Sequence, residues 1–143
     1  MLSETLTKFG HPDSLIKEYD HWFLLLRPAQ VTLGSMIIIS KTEDNQFHEL
    51  SEEAFNELKQ VTADIETKLK SYLQFEKVNY KMLMMVDPEV HFHVFPRYPK
   101  VINFNGRGIS DPYWPGICDL SKPKEFEPEE MDELLKELRT HIN

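Results

Sequence analysis

The chain has 143 residues and a formal net charge of −8, and 41% of its residues are hydrophobic. These values predict a single domain over residues 1–143 with an ordinary core, and they argue against a broad electrostatic contact with nucleic acid. Apolar runs such as residues 22–26 and 36–39 are far too short to cross a membrane. The single cysteine, Cys118, fits a reducing compartment, so we expect a cytoplasmic protein.

Two apolar segments near the start of the chain predict neighbouring strands. Before them, the sequence predicts a turn at residues 11–13 and a short helix over 14–19. The run Trp22–Leu26, ended by Arg27 and Pro28, is typical of a buried strand. The β-branched run 35–40 predicts a second strand, and the short loop between the two favours antiparallel pairing.

A long central helix is predicted to begin after Ser51. The Ser51 hydroxyl can cap the free N–H groups, and Glu52 and Glu53 suit the positive end of the helix dipole. Apolar residues then recur at spacings of three and four, at Phe55, Leu58, Val61, Ile65, Leu69 and Tyr72. This stripe indicates one core-facing helix of about five turns.

The second half of the chain predicts two paired strands and a final helix. Residues 77–86 read as a third strand, and Asp87-Pro88 as a two-residue turn, so this strand should form a hairpin with the one that follows. A last helix is predicted over 128–141, with proline at an allowed first-turn position. Together these elements predict an α+β fold, an antiparallel β-sheet with a long central helix and a C-terminal helix.

The stretch 89–98 points to chemistry. Its alternation predicts a strand with one buried face of Val90, Phe92 and Val94 and an opposite face of Glu89, His91 and His93. On that strand the two imidazoles lie side by side, roughly 7 Å apart at the backbone. Pro96 should end the ladder because proline has no N–H to donate.

Three interpretations of the histidine pair are open at this point. The pair can belong to an ordinary solvated strand face. It can also bind a metal ion, which needs a third and usually a fourth ligand, and no spacing supports His11, His21 or His48 in that role. In the third interpretation one neutral imidazole attacks a phosphorus or carbonyl centre while its neighbour holds a charged oxygen.

The pattern resembles the histidine triad (HIT) family, whose motif is His-φ-His-φ-His-φ-φ, with φ apolar, often followed by Pro-Arg. Residues 90–97 match all but the first histidine, where Glu89 stands. Other segments resemble the family in the same order over about 22–116, namely 33–38, 47–51 with the long helix, 77–80 and 111–115. The resemblance implies a HIT-like fold that often pairs edge to edge as a homodimer.

The resemblance also implies an activity. Members are nucleotide hydrolases or nucleotidyl transferases, and the matching residues would act on the α-phosphate of a nucleoside phosphoramidate or dinucleoside polyphosphate. His91 matches the nucleophile, which forms a nucleotidyl-histidine intermediate. His93 would contact phosphate or the leaving group, and Glu89 would orient His91. The resemblance implies no metal or other cofactor.

Three further residues are expected near a bound nucleotide. By analogy with the family, the base lies near the first two strands, at Leu26 and Arg27, and Trp114 covers the substrate unless it packs the tail onto the sheet. Two departures from the family pattern keep an alternative open. Glu89 replaces a histidine, and residues 84–86 are Met-Met-Val where relatives often carry Asn or Gln. The alternative is a nucleotide-binding protein with little or no turnover.

Overall fold

The structure is a computed structural model that describes residues 4–143. Its strands are β1 (Leu15–Glu18), β2 (Trp22–Leu26), β3 (Met36–Ser40), β4 (Lys77–Lys81), β5 (His91–Arg97), β6 (Ile102–Phe104) and β7 (Arg107–Ile109). Its α-helices are α1 (Glu4–Lys8), α2 (Glu52–Ala63), α3 (Lys70–Leu73) and α4 (Pro128–Ile142), with a 3-10 turn at Phe47–Glu49 and a π-helical segment at Asp64–Lys68. None of these helices is long and apolar enough to cross a membrane.

A five-stranded antiparallel sheet in the order β1-β2-β3-β5-β4 forms the centre of the fold. This confirms the predicted α+β architecture and the antiparallel pairing of β2 with β3. The predicted helix over 14–19 is wrong, because Leu15–Glu18 pairs with β2 as an edge strand. Pairing with a neighbouring strand and burial of Ile16 therefore override the local pattern.

The two faces of the sheet bury different partners. Helices α2 to α4 and the π-helical segment cover one face, where the main core gathers around Trp22 of β2 and Val94 of β5. The Trp22 indole N–H donates to the Ala54 carbonyl at 2.8 Å, which fastens α2 to the sheet. A smaller apolar cluster on the other face joins β2 and β3 to α1, through Leu6, Phe9, Leu25, Ile37 and Ile39.

The central helix begins as predicted but is not continuous. The Ser51 hydroxyl accepts from the Ala54 N–H at 3.1 Å, which confirms the cap. A π-helical segment then interrupts the helix at Asp64. Burial alone would raise the pKa of Asp64, but hydrogen bonds from Tyr19 and Gln60, both at 2.8 Å, together with Lys68, hold it below its ordinary value. The interruption therefore surrounds a buried carboxylate that is well supplied with donors.

The pairing of β4 with β5 is confirmed, but the predicted hairpin turn is wrong. Strand β4 ends at Lys81, and residues 82–90 form an irregular connection in place of a two-residue turn. Within this connection Met84 has a φ of +51°, a conformation that side chains with a Cβ rarely adopt. The connection leaves Met85 and Val86 more than four-fifths exposed.

Strand β5 continues past Pro96 to Arg97, so the expected end of the ladder at Pro96 is wrong. The Val90 carbonyl accepts a hydrogen bond from the Ser40 N–H. Every second residue after Val90 therefore directs its backbone N–H and C=O positions toward β3, and Pro96 is one of these residues. The β3–β5 ladder ends at the Met36–Val94 pair. Pro96 lies beyond this end, so its missing N–H leaves no carbonyl of the β3–β5 ladder without a donor.

The C-terminal third contains one predicted and one unpredicted element. Helix α4 spans Pro128–Ile142 and begins with a reciprocal capping box between Glu127 and Glu130, which confirms the predicted helix. Strands β6 and β7 form a separate hairpin that the sequence did not indicate.

Candidate active site

The histidines of β5 lie on the sheet face covered by α1. Side chains that are directly opposite in adjacent strands share a face. One row across the sheet reads Leu25, Ile37, His93 and Lys81, and the next contains Ile39 and His91. The strand therefore places both imidazoles on one face, as the period-two pattern predicted, but that face is covered rather than solvated.

His91 is held by the backbone of the residue two positions before it. Its Nδ1 lies 2.7 Å from the carbonyl oxygen of Glu89. Because a carbonyl oxygen can only accept a hydrogen bond, this contact places the proton on Nδ1 and leaves the lone pair on Nε2. The side chain is only 2% exposed. His91 is thus an oriented imidazole whose free nitrogen has nucleophilic character.

His93 is kept neutral by its surroundings. Burial is the main cause that lowers its pKa to about 4, and the charges of His91, Arg27 and Lys81 lower it further while Asp87 opposes them. The His91 and His93 rings lie edge to face with centroids 5.2 Å apart. The Nδ1 of His93 is buried and has no hydrogen-bond partner among residues 4–143. At neutral pH His93 can therefore donate one hydrogen bond without adding charge.

Helix α1 and Phe9, the residue directly after it, cover the two histidines. The Phe9 ring lies 6.1 Å from each imidazole, measured between ring centroids. Two polar contacts fasten the helix to the connection before β5. The Thr5 hydroxyl donates to the Glu89 carboxylate, and Lys8 pairs with Asp87 at 2.9 Å. Glu89 thus contacts His91 through its backbone carbonyl, while its carboxylate faces α1.

A cavity of about 210 Å³, here called the histidine cavity, opens beside the imidazoles. It is lined by His91, His93, Lys8 and residues 83–87. Residues 84–86, Met-Met-Val, form one wall of it. Lys8 and Asp87 are the charged residues of this lining, and their ion pair is part of the wall.

The residues expected to bind the nucleotide do not all lie near the histidines. Leu26 lines a different cavity, between the N-terminal turn and α4. Arg27 is only 9% exposed and is close enough to His93 to lower the pKa of that imidazole. Trp114 is half-buried in the turn after Asp111, and it does not line the histidine cavity. The structure therefore brings Arg27 to the histidines but not Leu26 or Trp114.

Two lining or covering residues were not indicated by the sequence. Lys8 and Phe9 come from the polar N-terminal segment, more than 80 residues before β5, and no local pattern relates them to the motif. Only the folded sheet brings these distant segments together.

The described residues contain no group of three or more His, Cys, Asp or Glu side chains arranged to hold a metal ion. His11 packs against Phe23, with ring centroids 4.9 Å apart, and His48 is exposed. Neither is positioned as a third ligand beside His91 and His93.

The antiparallel sheet thus carries an oriented His-x-His pair on an inner strand. The model of the HIT domain family matches residues 8–100, and the chain belongs to this family. The family is one of nucleotide hydrolases and transferases, so membership suggests activity of that class. No curated protein gives a significant match.

Solved structures of other HIT proteins share the fold. A histidine triad protein from Sinorhizobium meliloti has a TM-score of 0.76 at 21% identity, covering 99% of this chain and 96% of that one. A histidine triad protein from Marinobacter aquaeolei also has a TM-score of 0.76, at 20% identity over 99% and 95% of the two chains. One from Bradyrhizobium japonicum has a TM-score of 0.73 at 17% identity over 100% and 98%. These similarities confirm the HIT-like fold.

Proposed function

We propose that the protein hydrolyses or transfers nucleotides by attack of His91 on the α-phosphorus of a nucleoside phosphoramidate or dinucleoside polyphosphate. The orientation of His91 is the observation that supports this most strongly, because the Glu89 carbonyl fixes the proton on Nδ1 and frees Nε2. Nε2 forms a bond to phosphorus as the bond to the leaving group breaks. Water or another acceptor then releases the nucleotide and restores the imidazole.

Positive charge near the histidines favours a phosphate-bearing substrate. Arg27 is buried, which lowers the pKa of its guanidinium, and it makes no ion pair with any residue of the described chain. Its Nη1 donates to the Ala29 carbonyl at 2.6 Å, whereas its buried Nε has no hydrogen-bond partner among the described residues. A buried cation without a carboxylate is costly unless an anion joins it. We assign Arg27 to the phosphates, and neutral His93 donates to a phosphoryl or leaving-group oxygen.

Glu89 occupies the position of the first triad histidine in this proposal. A family histidine there would support the nucleophile by hydrogen bonding, and here the backbone carbonyl of Glu89 makes a hydrogen bond with His91. The roles of Leu26 and Trp114 in substrate binding stay predictions.

A nucleotide-binding protein with little turnover is the second candidate. Its support is the enclosure of the site, since His91 and His93 are 2% and 6% exposed beneath Phe9. Phe9 and the connection before β5 restrict the space beside the two rings. If this restriction prevents a productive approach of the phosphate to Nε2, nucleotide binds without efficient chemistry.

Two wider expectations accompany the proposal. A homodimer that pairs edge to edge is supported by the open edge of β4 and by the exposed apolar residues Met85 and Val86, and light scattering on the purified chain tests it. A cytoplasmic location is supported by the single free thiol of Cys118.

The decisive experiment measures release of nucleoside monophosphate from a panel of adenosine and guanosine phosphoramidates and dinucleoside polyphosphates. Wild type, His91→Ala and the matched control His48→Ala are compared, because His48 is exposed and does not line the cavity. Turnover by wild type and His48→Ala, and its loss in His91→Ala, is the expected result. Equal turnover by all three refutes His91 as the nucleophile, and nucleotide binding without turnover favours the second candidate.

A further inference from the structure

A second cavity opens on the same face of the sheet, one side chain away from His93. Lys81 is directly opposite His93 in the β4–β5 ladder, and opposed side chains lie about 5 Å apart at Cβ. The Phe95 ring is parallel to the His93 ring, with centroids 6.1 Å apart. Lys81 and Phe95 both line this cavity of about 250 Å³, here called the Lys81 cavity, together with Asn79, Tyr80, Arg97 and residues 115–118.

Two cations line the Lys81 cavity, and only one of them is already neutralised. The Nε of Arg97 donates to the Asp111 carboxylate at 2.7 Å, and its Nη1 donates to Asn79 at 2.7 Å. Lys81 makes no ion pair with any residue of the range 4–143. The ammonium group of Lys81 is therefore available to an anion in the cavity.

One carboxylate outside the lining is under the influence of Lys81. Asp119 has its pKa held below the ordinary value mainly by hydrogen bonds from Ser121, with smaller contributions from Lys122 and Lys81. Its Oδ1 accepts from the Ser121 hydroxyl and N–H at 2.6 and 2.9 Å, and Lys122 lies 3.8 Å from its other oxygen. Asp119 thus has closer partners than Lys81, and it forms no ion pair with the Lys81 ammonium.

The remaining lining is largely apolar. Phe95 forms one wall, and Pro115, Ile117 and Cys118 form another. Apolar walls with a few placed polar groups are typical of small-molecule sites, and the volume is below the roughly 300 Å³ at which such sites usually begin. The Lys81 cavity therefore suits one part of a larger ligand. The histidine cavity lies on the other side of His93.

We propose that the Lys81 cavity binds the leaving group, and that Lys81 makes the site prefer leaving groups that bear phosphate over amines. This inference rests on the proposed function. When Nε2 of His91 bonds to the α-phosphorus, the bond to the bridging oxygen breaks and that oxygen keeps the electron pair. A phosphate leaving group then gains negative charge, which a lysine ammonium stabilises. An amine leaves after taking up a proton, and a cation beside it brings no such benefit.

The test compares diadenosine tetraphosphate with an adenosine phosphoramidate of an uncharged amine, using kcat/KM for release of AMP. Lys81→Met removes the charge, and Lys81→Arg keeps it. Lys77→Met is the matched control, because Lys77 is exposed, shares the strand and face of Lys81, and does not line the cavity. Thermal unfolding checks that each variant is folded. In parallel, titration calorimetry at fixed ionic strength measures binding of inorganic tripolyphosphate to each protein.

A charge-assisted contact predicts that Lys81→Met lowers the ratio of the two kcat/KM values, polyphosphate over phosphoramidate, roughly 10- to 100-fold. Lys77→Met should keep the wild-type ratio, and Lys81→Arg should restore most of it. An unchanged ratio in Lys81→Met overturns the inference. If wild type releases no AMP from either substrate, and the guanosine analogues are also inert, the proposed function fails and the calorimetry decides. At least tenfold weaker tripolyphosphate binding in Lys81→Met alone then supports the subsite, whereas equal binding, or none by wild type, overturns it.

Discussion

The neutral state of His93 should make the protein acid-sensitive in a defined way. The native pKa of about 4 lies below the ordinary value of 6.5, so between these pH values the unfolded chain binds a proton that the native protein does not. Stability therefore falls as the pH falls through this range. Linkage gives a loss from this one group of about 2 kcal/mol at pH 5 and about 3 kcal/mol at pH 4, relative to pH 7.

The variant His93→Gln removes this titration and keeps a polar side chain. Urea unfolding of wild type and variant between pH 7 and pH 4 gives the difference in unfolding free energy at each pH, and groups common to both proteins cancel. Low protein concentration is needed because the sequence pI is near 5.2. We expect the advantage of wild type over His93→Gln to shrink by about 3 kcal/mol toward pH 4.

A matched control separates this effect from a general response to losing a histidine. His48→Gln alters an exposed side chain, and its curve should run parallel to that of wild type. If the curve of His93→Gln also stays parallel to wild type down to pH 4, then His93 is not held neutral by the fold. The assignment of its donor role at neutral pH would then lose its basis.

Three further perturbations follow from contacts in the sheet and its cover. Arg97→Met leaves the fully buried Asp111 carboxylate without its charged partner and should lower the free energy of unfolding in urea by about 3–5 kcal/mol. Arg107→Met breaks an exposed pair with Glu130 and should lower it by less than about 1 kcal/mol. Similar losses in the two variants would contradict the argument. Gly34→Ala places a Cβ 2.9 Å from Leu73 at a φ of +82°, whereas the Cβ of Gly106→Ala, at a φ of +83°, has no atom within 4 Å. Gly34→Ala should therefore be the more destabilising of the two by about 1–3 kcal/mol. Equal melting temperatures of the two variants would refute crowding at Gly34. Phe9→Ala should speed chemical modification of His91, measured by mass spectrometry, because the Phe9 ring covers the imidazole. Phe47→Ala is the control, because Phe47 is exposed. Equal modification rates in the two variants would mean that Phe9 does not limit access to His91.

The elements that could be predicted are those whose signal is local. The Ser51 cap and the period-two strand around His91 and His93 both depend on residues within a few positions. The cover over the histidines depends on contacts between residues about 80 positions apart, such as Thr5 with Glu89, and no local pattern contains them. Strand β1 is only four residues long and is decided by its pairing with β2.

Period two also separates two residues expected near the nucleotide. Leu26 and Arg27 are neighbours at the end of a strand, where successive side chains point to opposite faces, and of the two only Arg27 acts on His93. The binding roles of both stay predictions. The apolar residues 82–86 predict the end of the third strand, whereas in the structure they belong to an irregular connection that exposes Met85 and Val86. Apolar composition does not identify a strand without alternation.

Cys118 gives the protein a built-in chemical reporter. The thiol is the only one in the chain, it is buried, and it lines the Lys81 cavity. Burial raises its pKa, so little reactive thiolate is present at neutral pH and alkylation should be slow. The alkylation rate of the unmodified protein therefore measures how often the segment around Cys118 opens to solvent. A ligand that fills the cavity should slow the reaction further, with no label or engineered residue required.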